Sequence, residues 1–490
     1  MEQFIRDVRQ TFADFWPHIF GAMIIIAAIA ATVHAVLHKR DTRATIAWVG
    51  LIWLSPVVGV ALYFTFGVNR IKRRGTMLRS GQTRSEPPGS SHIATADDIE
   101  RTLGRQNRHM ATLIELDGRL TNRPLLSGNK IEPLDGGDVA YPAMLEAIKS
   151  AKRSVALMTY IFDNDRVGRM FAEALGAAVS RGVEVRVLID DVGLRYTFPP
   201  ITRQLAKANV RVARFLRTFM PAYFAYSNLR NHRKILVVDG RTAFTGGMNI
   251  REGEYLKMHP KHQVQDLHFR LTGPIVVQLQ EVFAEDWSFS TNEVLQGEQW
   301  YPPLEPAGDT LARGIRSGPD EDLGEIQLAL TGALSCAHTR VSIVTPYFLP
   351  DETLISALNV AAMRGVQVDV VLPEKNNLLT VQWACAGTLW EVLERGCRVW
   401  LSPPPFDHTK LMLVDGLWSL IGSGNWDPRS LRLNFEFNVE CYDAALATTL
   451  NALVDRKLAA ARQITLADVN GRSLPLRLRD GVARLLSPYL

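Results

Sequence analysis

Cysteine is scarce in this 490-residue chain: Cys336, Cys385, Cys397 and Cys441 contain no Cys-x-x-Cys pair and all fall in the second half. That spacing excludes a disulfide framework and a zinc site, and fits reduced, mostly buried thiols in a cytosolic environment. A cationic surplus is also missing from most of the chain. Residues 1–80 hold ten Lys and Arg against four Asp and Glu, which leaves 45 against 46 for positions 81–490. A nucleic-acid enzyme spreads cations over its globular part, so nucleic acid is not an expected partner. Cations gathered beside an apolar segment fit anionic lipid headgroups instead.

Two stretches lack charge altogether. Ile19 to Leu37 runs nineteen residues with Thr32 and His34 as its clearly polar members, and Ile46 to Phe66 runs twenty-one with Ser55 and Thr65. At 1.5 Å rise per residue each is long enough to cross a bilayer. A signal peptide has one short apolar stretch and a small-residue cleavage site, so the second run argues for a helical hairpin with both ends on one side. Seven cations flank the open ends (Arg6, Arg9, Arg70, Lys72, Arg73, Arg74 and Arg79) against Lys39, Arg40 and Arg43 in the turn. The positive-inside rule then directs both termini to the cytoplasm. Pro56 and Gly59 are expected to kink the second helix.

What the globular part does have is repetition. A helix at Tyr141–Lys152, a strand at Val155–Phe162, a helix at Gly168–Arg181 and a strand at Val183–Ile189 form a β-α-β-like cadence. Arg340–Phe348, Asp351–Arg364 and Val366–Leu372 repeat it, with Arg181-Gly182-Val183 answered by Arg364-Gly365-Val366. Two similar units this far apart predict a pseudo-twofold pair of α/β domains with one site at their junction, not a solenoid. The expected layout is a membrane anchor over 1–74, with transmembrane helices at about 19–37 and 46–66. A polar linker follows over 75–97, and α/β domains over 98–310 and 311–490.

The repeat carries chemistry. Asn231-His232-Arg233-Lys234, with Asp239 and then Gly246-Gly247-Met248-Asn249, is matched by His408-Thr409-Lys410, with Asp415 and then Gly422-Ser423-Gly424-Asn425. Each copy reads His-x-Lys-x4-Asp, a Gly-rich turn, and Asn ten residues beyond the Asp. On a strand, His and Lys two apart share a face, and Leu236 and Val238, or Met412 and Val414, share it deeper inside. The Gly247 and Ser423 steps let backbone approach an anion, and Asn249 and Asn425 can donate to phosphoryl oxygens. Two imidazoles, two ammonium groups and two amides around one phosphorus suit phosphodiester chemistry without a metal. One His attacks, the other protonates the departing alkoxide, and Lys and Asn stabilise the equatorial oxygens. Asp266 and Glu436, 34 and 28 residues after their respective His, are the expected orienting acids. Asp239 and Asp415 belong to the motif, but each precedes Gly, which is a turn signal in itself.

These residues resemble the phospholipase D superfamily and, within it, the bacterial cardiolipin synthases. Arg230 to Lys234 with Gly246 to Asn249 looks like that family's first motif, and Asn425 to Ser430 through Asn434-Phe435-Glu436 like its second. Lys39-Arg40-Asp41, Ala47-Trp48, Pro56, Gly59, Tyr63 and Gly67 look like its amino-terminal hairpin domain, and Leu485 to Leu490 like its terminus. The resemblance implies transfer of a phosphatidyl group from one phosphatidylglycerol to a second, with glycerol released and no metal or other cofactor. It makes His232 the nucleophile and His408 the acid and base, an order the residues alone do not set. It implies a multi-pass protein of the bacterial cytoplasmic (inner) membrane, with its catalytic domains on the cytoplasmic side.

Hydrolysis by water, action on nucleic acid and a non-catalytic scaffold are the rival readings. The charge balance of residues 81–490 speaks against the second, and the intact pair of motifs against the third. The sequence leaves open the choice between monomer and homodimer, and the phosphatidyl acceptor. Asp407 stands where the resemblance leads one to expect an apolar residue, and its charge is expected to raise the His408 pKa. Phe215 to Tyr226 mixes aromatics with Arg217 and reads equally as a membrane-dipping lid or a packed loop.

Overall fold

The computed structural model describes residues 2–39, 42–67, 92–216, 229–318 and 324–487. The cations at Arg70–Arg79, most of the linker, and residues 217–226 of the aromatic segment lie outside them.

The amino-terminal unit is helical. Glu2–His38 forms one helix, and its stretch Phe15–His38 is long and apolar enough to cross a membrane. The second apolar run is divided where a single helix over 46–66 was expected: Thr42–Leu54 ends at Ser55, Pro56–Leu62 resumes, and Tyr63–Gly67 closes in a π turn. Proline supplies no backbone N–H and disfavours a helical residue before it, and Ser55 accordingly leaves the helix at φ −145°. Ala28, Ala31 and Ala35 pack against Ile52 and Tyr63, and Gly59 lies so close to Leu51 and Ile52 that a Cβ would overlap their backbone.

The second unit is built on one mixed sheet. At its centre Leu126–Asp135 pairs antiparallel with Thr310–Ser317. Outward from Leu126–Asp135 come Leu267–Thr272, Thr242–Gly246, Ile235–Val238, Ser154–Thr159, Glu184–Asp190 and Arg211–Phe215. Outward from Thr310–Ser317 come Asn434–Tyr442, Trp418–Gly422, Leu411–Val414, Arg340–Val344, Gln367–Pro373 and Arg398–Ser402, with Arg462–Ile464 at the far edge. The first six strands of the two series correspond, antiparallel near the centre and parallel outside, and Arg462–Ile464 adds an antiparallel edge to the second alone. This is the pseudo-twofold pair of α/β halves that the repeated cadence predicts.

Each half has its own core. Leu236 and Val238 join one cluster with Phe171 and Phe244, and Met412 and Val414 another with Trp418 and Phe348. The expected start of the first half at residue 98 does not follow the packing. Ala96–Leu103, the turn Arg108–Met110 and Ala111–Thr121 send Leu103, Met110 and Leu113 into the second half's core, against Ala329, Leu330 and Ala333 of Glu325–Cys336. Gly332 permits the approach: a Cβ there would lie 2.4 Å from Leu116. An amphipathic helix is drawn to whichever apolar stripe needs covering, whatever its place in the chain.

Candidate active site

The two histidines stand just before the strands Ile235–Val238 and Leu411–Val414, at the seam between the halves. The seam is stitched twice by backbone. Arg230–Asn231 pairs with Asn434–Phe435, where His232 N–H donates to Phe435 O at 2.9 Å. Phe406–Asp407 pairs with Val264–Gln265, where His408 N–H donates to Gln265 O at 2.7 Å. Each His is thereby held beside the other half's acid-bearing segment.

The acids are exchanged. His232 Nδ1 lies 3.0 Å from the Glu436 carboxylate and His408 Nδ1 2.7 Å from Asp266. Sequence distance had assigned each acid to the His of its own half; the crossed strand pairing puts it on the other. A carboxylate at Nδ1 favours the Nδ1–H tautomer and leaves Nε2 with its lone pair. Glu436 is further fixed by Ser423 Oγ at 2.6 Å, Ser430 Oγ at 2.9 Å and Asn434 Nδ2 at 3.1 Å. Asp266 Oδ1 accepts from Leu267 N at 2.7 Å.

Both Lys234 and Lys410 are buried, and each Nζ donates to the carbonyl of the His two residues before it, Lys234 at 2.6 Å. Tyr160 and Tyr347, which lie in the matching phrases Thr159-Tyr160-Ile161-Phe162 and Thr345-Pro346-Tyr347-Phe348, pack their rings 5.2 Å from His232 and 6.3 Å from His408. Their place in the repeat was legible, but not their place beside the imidazoles. Arg233 is fully buried, paired with Asp286 at 2.7 Å and donating to Glu436 O across the seam.

Two pairs of sequence assignments change. Asp239 accepts the backbone N–H groups of Lys152, Arg153 and Ser154, and Asp415 those of His338, Thr339 and Arg340. Both sit at the far end of their strands from the histidines, at φ +52°, and tie turns together instead of joining the reacting groups. Gly247 and Ser423, expected to cradle phosphate, serve the acids. A Cβ on Gly247 would lie 2.3 Å from Asp266 Oδ1, and Ser423 gives its hydroxyl to Glu436. Their own N–H groups go to Leu267 O and Phe437 O. The anion that the glycine-rich turn approaches is the protein's own carboxylate. Of the two amides, Asn249 accepts Ile161 N–H through Oδ1, and Asn425 donates to Ser430 Oγ.

Charges from both halves meet here. Burial pushes the His408 pKa down to about 4, with Lys410 acting in the same direction and Asp266 opposing. His232 is lowered by burial against the pull of Glu436, with Lys234 and Lys410 adding to the lowering. Burial brings Lys234 down to about 7 and lowers Lys410. Burial alone would raise Asp266 and Glu436, but the facing lysines and histidines hold both below the usual range. Asp407 does not raise His408 as its position in sequence suggested. It is ion-paired to Lys457 and accepts from Thr409 N.

Glu254, absent from the sequence-derived set, completes the cluster: its carboxylate, that of Asp266 and the His408 ring each bring an atom within 4.8 Å of the others. His408 and Asp266 are joined by their hydrogen bond, and Glu254 stands beside that pair.

Comparison with known proteins agrees with this architecture. A family described as cardiolipin synthase, PLD-like domain, matches residues 144–287 and 330–458, and one described as phospholipase D-nuclease N-terminal matches 26–67. Cardiolipin synthase A of Pseudomonas fluorescens (strain SBW25) is 33% identical over 97% of this chain and 99% of its own. The major cardiolipin synthase ClsA of Bacillus subtilis (strain 168) is 29% identical over 96% and 99%. Among solved structures, phosphatidylserine synthase of Haemophilus influenzae Rd KW20 superimposes with a TM-score of 0.62 at 15% identity, over 77% of this chain and 100% of that one, a likeness of fold. Matched in both halves and along nearly its whole length, the chain belongs to the cardiolipin synthase family of phospholipase D-like proteins.

Proposed function

We propose that the chain is a cardiolipin synthase that moves a phosphatidyl group between two phosphatidylglycerol molecules through a phosphohistidine. The observation that carries this reading is the pair of imidazoles at one seam, each with Nδ1 on a buried carboxylate of the opposite half. His232 Nε2 attacks phosphorus, the bond from phosphorus to the glycerol oxygen breaks, and that oxygen takes a proton from His408 Nε2. A hydroxyl of the second phosphatidylglycerol then gives its proton to His408 and attacks phosphorus. The P–N bond breaks and its electron pair returns to His232. Lys234 and Lys410 stabilise the equatorial oxygens, with the amides of Asn249 and Asn425 beside them. An anionic phosphodiester in the site favours the protonated form of His408, against the effect of burial.

The catalytic unit faces the cytoplasm in this reading, carried on a hairpin in the inner membrane. The apolar helix Phe15–His38 and the apolar pieces packed on it support the anchor, and the cation count supports the orientation. Labelling of single cysteines with a membrane-impermeant thiol reagent in intact and opened cells tests it; labelling of Ser487→Cys in intact cells would reverse the orientation.

Purified protein given labelled phosphatidylglycerol in chelator should form cardiolipin and glycerol. His232→Ala and His408→Ala should each abolish turnover, with label trapped on His232 only while that residue is present. Phosphatidic acid without cardiolipin would instead make the protein a hydrolase.

A further inference from the structure

Glu254 is a buried acid beside the reacting groups to which the scheme above gives no task. It is 1% exposed; Oε1 accepts Asn249 N–H at 3.2 Å, and Oε2 has no hydrogen-bond partner among the described residues. The repeat supplies its counterpart. The offset that carries His232 onto His408 and Asn249 onto Asn425 carries Glu254 onto Ser430, five residues beyond the Asn in each half. Ser430 has a visible role: its hydroxyl lies 2.9 Å from Glu436 Oε1, bracing the carboxylate that holds His232. Across the pseudo-twofold the carboxylate is Asp266, one methylene shorter, and the residue facing it is one that reaches further. An ionised carboxylate only accepts hydrogen bonds, whereas a carboxylic acid donates one.

We propose that Glu254 is a positioning residue that works as the neutral acid, its O–H donating to Asp266 as the Ser430 hydroxyl donates to Glu436, so that Asp266 stays fixed on Nδ1 of His408. The inference rests on the reading of His408 as the proton carrier. The charged and titratable groups around Glu254 are Asp266, Tyr141 and His408 on one hand, and Arg251, Lys410 and Lys234 on the other. Burial and the Asp266 charge push its carboxyl up to about 8, against Asn249 N–H, Arg251 and Lys410. A raised pKa keeps the acid protonated below that value. Above it Glu254 ionises, two carboxylates face each other, and the brace on Asp266 is lost.

The test compares Glu254→Gln, which keeps length, neutrality and a donor, with Glu254→Ala, both in the full chain with phosphatidylglycerol vesicles. With saturating substrate near neutral pH, Glu254→Gln should keep kcat within about threefold of the parent and lose the parent's fall of kcat near pH 8 while the kcat/KM fall set by Lys234 remains, whereas Glu254→Ala should be about tenfold or more slower near neutral pH and show no such fall of kcat. Infrared titration should show a protonated carboxylic C=O band that fades near the pKa above and is missing from Glu254→Gln. The proposal is overturned if Glu254→Gln is as slow as Glu254→Ala, or if the band is unchanged in Glu254→Gln. Undiminished turnover in His408→Ala would instead sink the reading of His408, while the infrared titration still reports on Glu254 alone.

Discussion

An imidazole whose Nδ1 is fixed on a carboxylate has one nitrogen left for chemistry, and here two such rings draw their carboxylates from opposite halves. Asp266→Asn and Glu436→Gln keep volume and remove the charge that favours the imidazolium, so each should lower kcat by about 100-fold or more with the circular dichroism unchanged. An aryl phosphodiester, whose leaving group needs no proton, separates the two. In rapid-quench measurements Asp266→Asn should spare the first step, because it disturbs His408, and Glu436→Gln should slow it, because it disturbs His232. A reversed pattern would mean that each acid serves its own half. Lys234 gives the pH dependence. Its pKa is lowered to about 7, so the free enzyme loses a phosphate-binding charge as pH rises through that value, and kcat/KM should fall with it. Lys234→Arg, which stays charged, should move the fall upward by more than a pH unit. At this scale the histidines and lysines were legible because they recur in two copies, and the acids because each imidazole needs a carboxylate and one stands downstream of each histidine. The partner of each acid was not, because 34 and 28 residues of chain say nothing about which strand lies alongside.

At the scale of elements, the motif aspartates show how a repeated residue can be structural. Asp239 and Asp415 each gather three backbone N–H groups at the end of a strand opposite the histidines. Replacing either by Ala orphans those donors and should cost about 2 kcal/mol in urea unfolding, with turnover per folded molecule little changed. Those N–H groups depress the Asp415 pKa against the opposing effect of burial, so its contribution is present above the ordinary carboxylate range and is lost as pH falls through the depressed value. The Asp-Gly pairs announced these turns in the sequence, as Pro56 announced the break in the second apolar run. The helix Ala111–Thr121 was different: nothing local says that Leu113 will pack against Ala329 and Leu330, since an apolar stripe names no partner.

For the whole molecule, the sheet continues through the seam, where Leu126–Asp135 of the first half pairs antiparallel with Thr310–Ser317 of the second. Arg313 and Glu440 form an ion pair buried in that region, and a buried charge left alone is strongly unfavourable. Scanning calorimetry should therefore give the catalytic unit one cooperative transition; two resolved transitions would show halves that hold together independently. The doubling of the fold was readable from the repeated phrases, whereas a sheet shared across both copies was not, because two adjacent domains with separate sheets would carry the same phrases. The crossed acids have a consequence for genetics. Damage at position 266 is felt by the ring at 408, so second-site suppressors that restore lipid output should map to the carboxy-terminal copy around that ring. A lesion at 436 should likewise be relieved from the amino-terminal copy.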